Sequence, residues 1–270
     1  MKASMIDYYA SKIIKAEEDI QQIDLLTASE PSLSIEDAYK IAREIENRKE
    51  SRDQKKIGVK VGFTNRNIWK QYNASAPIVG AMYDTTVFPL FDNFSISRFL
   101  EPRIEPEIIF KIKKRPTAEM SDNDLMGCIS SVAHGFEIVH CVFKNWNFQT
   151  ADTIAAFGLH GALIHGPFNE ISSQDITEWT KNLSNFDLTL FLNGREVEKG
   201  KASNVLDSGP LKALRYILRN NLGSGHKVDL KPGDLVTTGT LTGAYPILAD
   251  QSWSTEISGI KLQGLTVKFK

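Results

Sequence analysis

Around residue 55 the periodicity of the chain changes, and the two sides of that change belong to different kinds of element. Before it, Ile6, Tyr9, Ala10, Ile13, Ile14 and Ile20 recur near a 3.6-residue period, as do Ala38, Ile41, Ala42 and Ile45 after Pro31, which is the pattern of helices with one apolar face. Ser34, with Asp37 three residues on, predicts a helix start. After the change, β-rich runs at 57–63, 104–112, 136–143 and 188–192 are separated by turns. Asn193-Gly194 between 188–192 and 195–198 is a two-residue hairpin signal, and Lys231-Pro232-Gly233-Asp234 is a turn feeding a strand over 235–238. Helices are predicted at 122–133 and 210–222, the latter with Leu211, Leu214, Ile217 and Leu218 on one face and Gly223 as its stop. Strands and helices do not alternate regularly, which argues against a Rossmann or TIM fold and for an α+β architecture with a largely antiparallel or mixed sheet.

Length and composition narrow the class further. At 270 residues the expectation is one main domain with a smaller appendage, divided as 1–55 and 56–270. A chain that is 41% hydrophobic and 24% charged, with mean hydropathy −0.24, is neither disordered nor fibrous. Thirty-two Lys and Arg stand against thirty-three Asp and Glu, with positive charge gathered only over 48–56, so a nucleic-acid partner is not expected. Cys128 and Cys141 are too few for a disulfide framework and wrongly spaced for a zinc knuckle, which fits a reduced cytosol. Residues 1–10 lack the apolar core of a signal peptide. The most apolar stretch, 154–168, is short and interrupted by His160 and His165, so no membrane span is expected. These features predict a cytoplasmic protein.

The stretch richest in chemistry is Arg103-Ile104-Glu105-Pro106-Glu107-Ile108-Ile109-Phe110. On a strand, residues two apart share a face, so Glu105 and Glu107 project side by side while Ile104, Ile108 and Phe110 occupy the other. Two carboxylates so placed repel unless a cation joins them, and an all-oxygen set selects a hard divalent ion such as Mg²⁺ or Mn²⁺. A solvated strand face satisfies the same pattern. Glu137 lies in the apolar run His134-Gly135-Phe136-Glu137-Ile138-Val139-His140, where a buried carboxylate needs a partner. A metal is one, and a salt bridge to Arg103 or Lys60 is another. Lys60, flanked by Gly58 and Gly62, is a strand lysine whose burial would suit proton transfer. The five histidines form no metal motif, and no G-x-S-x-G, Walker A or G-x-G-x-x-G sequence is present. The run from Thr237 to Gly243 is rich in Thr and Gly; it suits backbone contacts to an anionic ligand, or an ordinary tight loop.

Together these segments resemble the fumarylacetoacetate hydrolase superfamily, in its branch of 2-keto-4-pentenoate hydratases and 4-oxalocrotonate decarboxylases. The carriers are Lys60-Val61-Gly62-Phe63-Thr64, residues 77–84, Ile104-Glu105-Pro106-Glu107-Ile108, Phe136-Glu137-Ile138, Trp146 with Asp152-Thr153-Ile154-Ala155, and Gly233-Asp234-Leu235-Val236 leading to Thr238-Gly239. The resemblance implies a mixed β-roll with an N-terminal helical segment, assembled into homo-oligomers. It implies Glu105, Glu107 and Glu137 as ligands of Mg²⁺ or Mn²⁺, Lys60 and Asp84 as proton-handling residues, and Thr238 with Gly239 near a small 2-oxo acid substrate.

Two departures stand out. Ala156-Phe157-Gly158-Leu159-His160-Gly161 replaces the small polar residues common in the family, which makes that wall more apolar and adds His160 as a candidate substrate contact. Lys201-Ala202-Ser203-Asn204 follows Gly200 where small residues are usual, which makes Lys201 another. The implied reaction is hydration of 2-hydroxypenta-2,4-dienoate to 4-hydroxy-2-oxopentanoate, in the breakdown of aromatic compounds. The alternatives are a 4-oxalocrotonate-type decarboxylase, with Lys201 or Arg66 holding a distal carboxylate, and an acylpyruvate-type C–C hydrolase with His160 as base.

Overall fold

A computed structural model describes residues 1–72, 74–219 and 227–270. Its N-terminal part holds three helices, α1 (Ala3–Glu18), α2 (Leu26–Ser29) and α3 (Ile35–Glu50). Ser34 caps α3 by accepting from the Asp37 N–H at 3.1 Å, which supplies a partner to one of the donors that a helix start leaves unpaired. The apolar stripes of α1 and α3 are buried at Tyr9, Ala10, Ile13 and Ile14 and at Ala38, Ile41, Ala42 and Ile45. All of these but Ala42 belong to the same apolar core as the sheet residues Val61, Ile108, Phe110 and Phe136.

In chain order the strands are β1 (Lys56–Gly62), β2 (Ile78–Tyr83), β3 (Val87–Pro89), β4 (Asn93–Phe94), β5 (Arg103–Ile112), β6 (Ile129–Val139) and β7 (His160–His165). They continue as β8 (Asn169–Glu170), β9 (Asp187–Leu192), β10 (Arg195–Lys201), β11 (Leu235–Thr237), β12 (Tyr245–Pro246), β13 (Ser252–Ser258) and β14 (Thr266–Phe269). Among the described residues they form two sheets. The larger has the order β2-β1-β11-β5-β6-β7-β3, with β12 added to β5 and β8 to β6; the smaller runs β10-β9-β13-β14-β4. Both are mixed: β1 pairs parallel to β11, β3 to β7 and β14 to β4, and the other ladders are antiparallel. The result is the α+β roll with helices at its N-terminus that the sequence suggests.

Local chemistry explains most boundaries. Asn193 and Gly194 both take positive φ, 50° and 77°, as the two-residue hairpin joining β9 to β10 requires. The 231–234 turn closes with Asp234 N–H donating to the Lys231 carbonyl and the Asp234 carboxylate accepting from Lys231 N–H. The helix Pro210–Leu218 buries Leu211, Leu214 and Ile217; its expected extension to residue 222 and stop at Gly223 lie outside the described residues. One expectation fails. The helix expected over 122–133 covers only Asp122–Met126, and β6 begins at Ile129. Ser131 and Val132 pair with Lys111 and Phe110 of β5, so the ladder overrides the local helical pattern there.

Candidate metal centre

The β5–β6 register sets Glu105 directly opposite Glu137 and Glu107 opposite Gly135. Because Glu105 and Glu107 share a face, Glu137 joins them from the neighbouring strand, and one carboxylate oxygen from each of the three lies within 4.8 Å of the others. Glu107 and Glu137 are wholly buried, and Glu105 is half-buried. Lys60, 2% exposed, reaches the cluster from β1. Its ammonium sits 3.3 Å from Glu137 Oε2 and donates to the Gly158 carbonyl at 2.8 Å.

Each buried acid is gripped by one oxygen. Glu107 Oε2 accepts from the Gly239 N–H at 2.8 Å, and Glu137 Oε1 lies 2.8 Å from His160 Nδ1. An ionised carboxylate only accepts, so Nδ1 carries the proton of that bond; His160 Nε2 is 3.0 Å from Thr86 Oγ1. Glu107 Oε1 is buried with no hydrogen-bond partner. The backbone beneath is pinned as well, since His134 bonds the Glu107 carbonyl through Nδ1 and Thr255 of the smaller sheet through Nε2, both at 2.9 Å. Burial holds that imidazole down to about 4, so it is neutral.

The charges do not balance, because three carboxylates face one lysine. Burial, then the charge of Glu137 and Glu105, drives the Glu107 carboxyl well above the ordinary range. Burial likewise pushes Glu105 up to about 7 against the pull of Lys60. Burial also acts to raise Glu137, yet Lys60 and the His160 hydrogen bond outweigh it and hold Glu137 below its usual value. Burial would lower the Lys60 ammonium, but the acids, Glu137 foremost, hold it above the normal lysine value. A divalent cation would neutralise the cluster, complete the shell of the unpartnered Glu107 oxygen, and suit an all-carboxylate donor set. The residues present therefore fit such an ion.

The cluster forms the floor of a cleft of about 480 Å³, open mouth included, whose walls bring Phe63, Ile78, Val139, Trp146, Phe148 and Leu159 together. Gly239, Thr240 and Ala244 close one side. Gly239 has φ +90°, and a Cβ there would stand 1.7 Å from Thr64 Oγ1, so only glycine lets this loop press against Thr64, two residues past the end of β1, and aim its N–H at Glu107. The loop is clamped from outside: Asn65 and Asn204 amides donate to the Thr242 and Leu241 carbonyls, and Glu198 accepts from the Gly243 N–H and the Tyr245 hydroxyl.

The family model for the C-terminal domain of fumarylacetoacetate (FAA) hydrolase matches residues 47–262. The chain belongs to this family. Within it, the chain is 25% identical over 260 residues to a 2-hydroxyhexa-2,4-dienoate hydratase of Comamonas testosteroni, covering 94% of each protein. Its fold is similar to that of 4-oxalocrotonate decarboxylase from Pseudomonas putida G7, complexed with magnesium and adipate, with TM-score 0.89 and 23% identity over 100% of this chain and 99% of that one. Fumarylpyruvate hydrolase from Pseudomonas aeruginosa, in complex with Mn²⁺ and pyruvate, is more distant, with TM-score 0.61 and 16% identity over 78% and 88%.

Not every residue singled out in the sequence of this fumarylacetoacetate hydrolase family member reaches the cleft. Glu105, Glu107, Lys60 and Gly239 line it, and Glu137 completes the acid cluster. Asp84 does not reach it. Lys60 lies opposite Gly80, and the strand carries Asp84 beyond the Lys56–Tyr83 pair to an exposed turn, where it accepts from the Lys55 N–H. Thr238 is buried with its hydroxyl spent on the Ile108 carbonyl; Thr240, two residues on, is the threonine in the cleft wall. His160 contacts Glu137 and Thr86 and is not among the residues lining the cleft. Lys201 is exposed in a separate polar cleft with Asn65, Arg66 and Asp207, where Arg66 is paired with Asp207 at 2.6 Å. The loop clamp formed by Glu198 has no sequence signal, because an acid on an edge strand reads as solvated.

Proposed function

We propose that this protein is a divalent-metal-dependent lyase of 2-oxo and 2-enol carboxylates that hydrates a 2-hydroxy-2,4-dienoate, with 2-hydroxypenta-2,4-dienoate giving 4-hydroxy-2-oxopentanoate. The reading rests on one observation above the others: three carboxylates converge on the floor of an apolar cleft with a single buried lysine, and one oxygen of Glu107 has no partner. Glu105, Glu107 and Glu137 would hold Mg²⁺ or Mn²⁺. When bound, the ion would supply Lewis acidity that favours negative charge on the substrate's C1 and C2 oxygens.

The chain supplies the rest. His160 and the Gly239 N–H fix two of the acids, so that little reorganisation is left for the reaction. Lys60 uses one of its three N–H donors on the Gly158 carbonyl and faces Glu137 with another, which leaves donor capacity toward the cleft. It is the residue placed to move protons: its ammonium gives a proton to C5, and the amine so formed takes the enol proton from O2, which leaves a conjugated 2-oxo-3-enoate and restores the ammonium. Water then adds hydroxide at C4 and a proton at C3. Apolar walls keep bulk water from the acids and strengthen every charge interaction on the floor. Asp84, exposed and away from the cleft, has no part in this scheme.

The decarboxylase alternative needs a cation for a distal carboxylate, and neither Lys201 nor Arg66 lines this cleft. Following hydration of 2-hydroxypenta-2,4-dienoate and CO₂ release from 2-oxohex-3-enedioate with the Mg²⁺- and Mn²⁺-loaded protein tests the choice. Hydration is expected to dominate, and CO₂ release without hydration would overturn the proposal. Homo-oligomeric assembly and a cytoplasmic location form part of the same reading; sedimentation of the purified chain tests the first, and cell fractionation the second.

A further inference from the structure

The ammonium of Lys60 is aimed by the turn that follows the helix Thr150–Ala155. In that turn Phe157, Gly158 and Leu159 are consecutive and all left-handed, with φ of 56°, 63° and 64°. Glycine takes this conformation freely, whereas phenylalanine and leucine are outliers in it. Such a backbone persists only where the surroundings enforce it. The turn lies along the Lys60 side chain: its Gly158 carbonyl accepts from Nζ at 2.8 Å, and a Cβ on Gly158 would stand 3.1 Å from Lys60 Cδ. A Cβ on Gly80, the residue paired with Lys60 across β1 and β2, would stand 2.0 Å from the Phe157 carbonyl oxygen. Turn, lysine and strand are packed without slack, so a displacement of residue 157 also displaces the acceptor that holds the ammonium.

The grip on Phe157 comes from the N-terminal helices. Its buried ring has the Lys49 ammonium of α3 4.6 Å from its centroid, and the Tyr83 ring meets it edge to face with centroids 6.4 Å apart. The same ammonium stands 5.4 Å from the Tyr83 centroid and is held by Glu17 of α1 at 3.0 Å. With its side chain only 18% exposed, this cation is partly stripped of water, which strengthens its attraction to the ring faces. Glu17, Lys49, Tyr83 and Phe157 are not among the described residues lining the cleft. Their bearing on the floor runs through the turn.

We infer that Lys49 and Phe157 are positioning residues for Lys60: α1 and α3 hold the left-handed turn through the Glu17–Lys49–Phe157 contact, and the turn fixes where the Lys60 ammonium stands beside the acids. The helical segment thereby takes part in proton transfer without lining the cleft. The consequence for the reaction rests on the proposed reading of Lys60 as the residue that moves protons, whereas the contact chain itself does not.

The test uses the full chain labelled with ¹³C-lysine, the Lys60 Cε–Hε signal being identified by its loss in Lys60→Arg. In Lys49→Met and in Phe157→Leu that signal is expected to move. In Lys49→Arg, which keeps a cation over the ring and a partner for Glu17, it should stay near its parent position. The other lysine signals report whether each variant is folded, and if one of the first two is not, the other decides. With Mn²⁺ and 2-hydroxypenta-2,4-dienoate, kcat should fall about ten- to a hundredfold in Lys49→Met and Phe157→Leu, as a small misplacement of a reacting group allows. KM and Mn²⁺ affinity should stay within about twofold of the parent, and Lys49→Arg should recover the rate. A Lys60 signal or a kcat unmoved in both variants overturns the inference. So does a loss of rate that Lys49→Arg shares in full, because the cation over the ring would not be its cause, and so does a matching loss of Mn²⁺ affinity, because the acids rather than Lys60 would have shifted. If the signal moves as expected but the parent protein neither binds Mn²⁺ nor turns over the dienoate, the positioning of Lys60 stands and the reading of the floor fails.

Discussion

Asp152 and Glu107 are both completely buried carboxylates, and their surroundings are opposite. Asp152 accepts from the Thr27 N–H at 3.0 Å, the Thr27 hydroxyl at 2.7 Å and the Gln149 N–H at 3.0 Å. It fastens α2 to the helix Thr150–Ala155 and is chemically finished. Glu107 holds one N–H, leaves its other oxygen without a hydrogen bond, and shares its site with two more acids. Burial of a charge is therefore not what marks a functional position, since both residues are buried. The mark is a deficit of partners, because folding normally satisfies a buried carboxylate and leaves one short only where something else binds.

Exchanging the two residues for neutral ones is the sharpest way to break this contrast. Glu107→Gln is expected to lower metal-dependent turnover by a factor of about a thousand or more through loss of a ligand. The unloaded fold should be as stable as the parent or more so, since a carboxyl driven this far upward costs free energy when ionised. Turnover and thermal melting without metal, measured side by side, check it, and full activity in the variant would remove the metal mechanism. Asp152→Ala should behave in reverse, destabilising the fold by about 2–4 kcal/mol as charge-assisted hydrogen bonds are lost, with Mn²⁺ affinity within about twofold of the parent, because Asp152 gives no oxygen to the acid cluster. Urea titration and calorimetry separate the two effects.

His160→Ala should fall between them, weakening Mn²⁺ binding about ten- to a hundredfold by freeing Glu137 Oε1 from its prop. An unchanged affinity would show that Glu137 needs no orientation. The smallest effect is that of pH. Glu105, raised to about 7, must lose its proton to serve as a ligand, so Mn²⁺ affinity should drop about tenfold per unit as pH falls below 7. Without metal the sign reverses. Between about 4.5 and 7 the folded state binds more protons at Glu105 than the unfolded chain, so the melting temperature should decline as pH rises through that window, and Mn²⁺ should restore it. Glu137, held below the ordinary value, contributes stability that is lost only at lower pH.

Much of the fold was legible because its signals are local. The Ser34 cap, the Asn193-Gly194 hairpin and the 231–234 turn each depend on side chains and backbone angles within four residues. The helix expected over 122–133 shows the limit: Ser121 does cap a short helix by accepting from the Asp124 N–H, but pairing with β5 claims the chain from Ile129 onward. The site divides in the same way. That Glu105 and Glu107 share a face follows from strand geometry alone. That Asp84 stands away from the cleft follows from the β1–β2 register, and that Thr240 rather than Thr238 faces it follows from a turn at Gly239, neither of which is written in residue spacing.

The sequence by itself determined the helical start, the mixed sheet that follows, and the placing of two acids on one strand face, because alternation and turn chemistry act over a few residues. Only the tertiary structure decided which buried acids are satisfied and which are left short. The donors in question, Gly239, His160, Lys60 and Thr27, come from segments far apart in the chain, and a hydrogen bond exists only where folding brings its two atoms within reach.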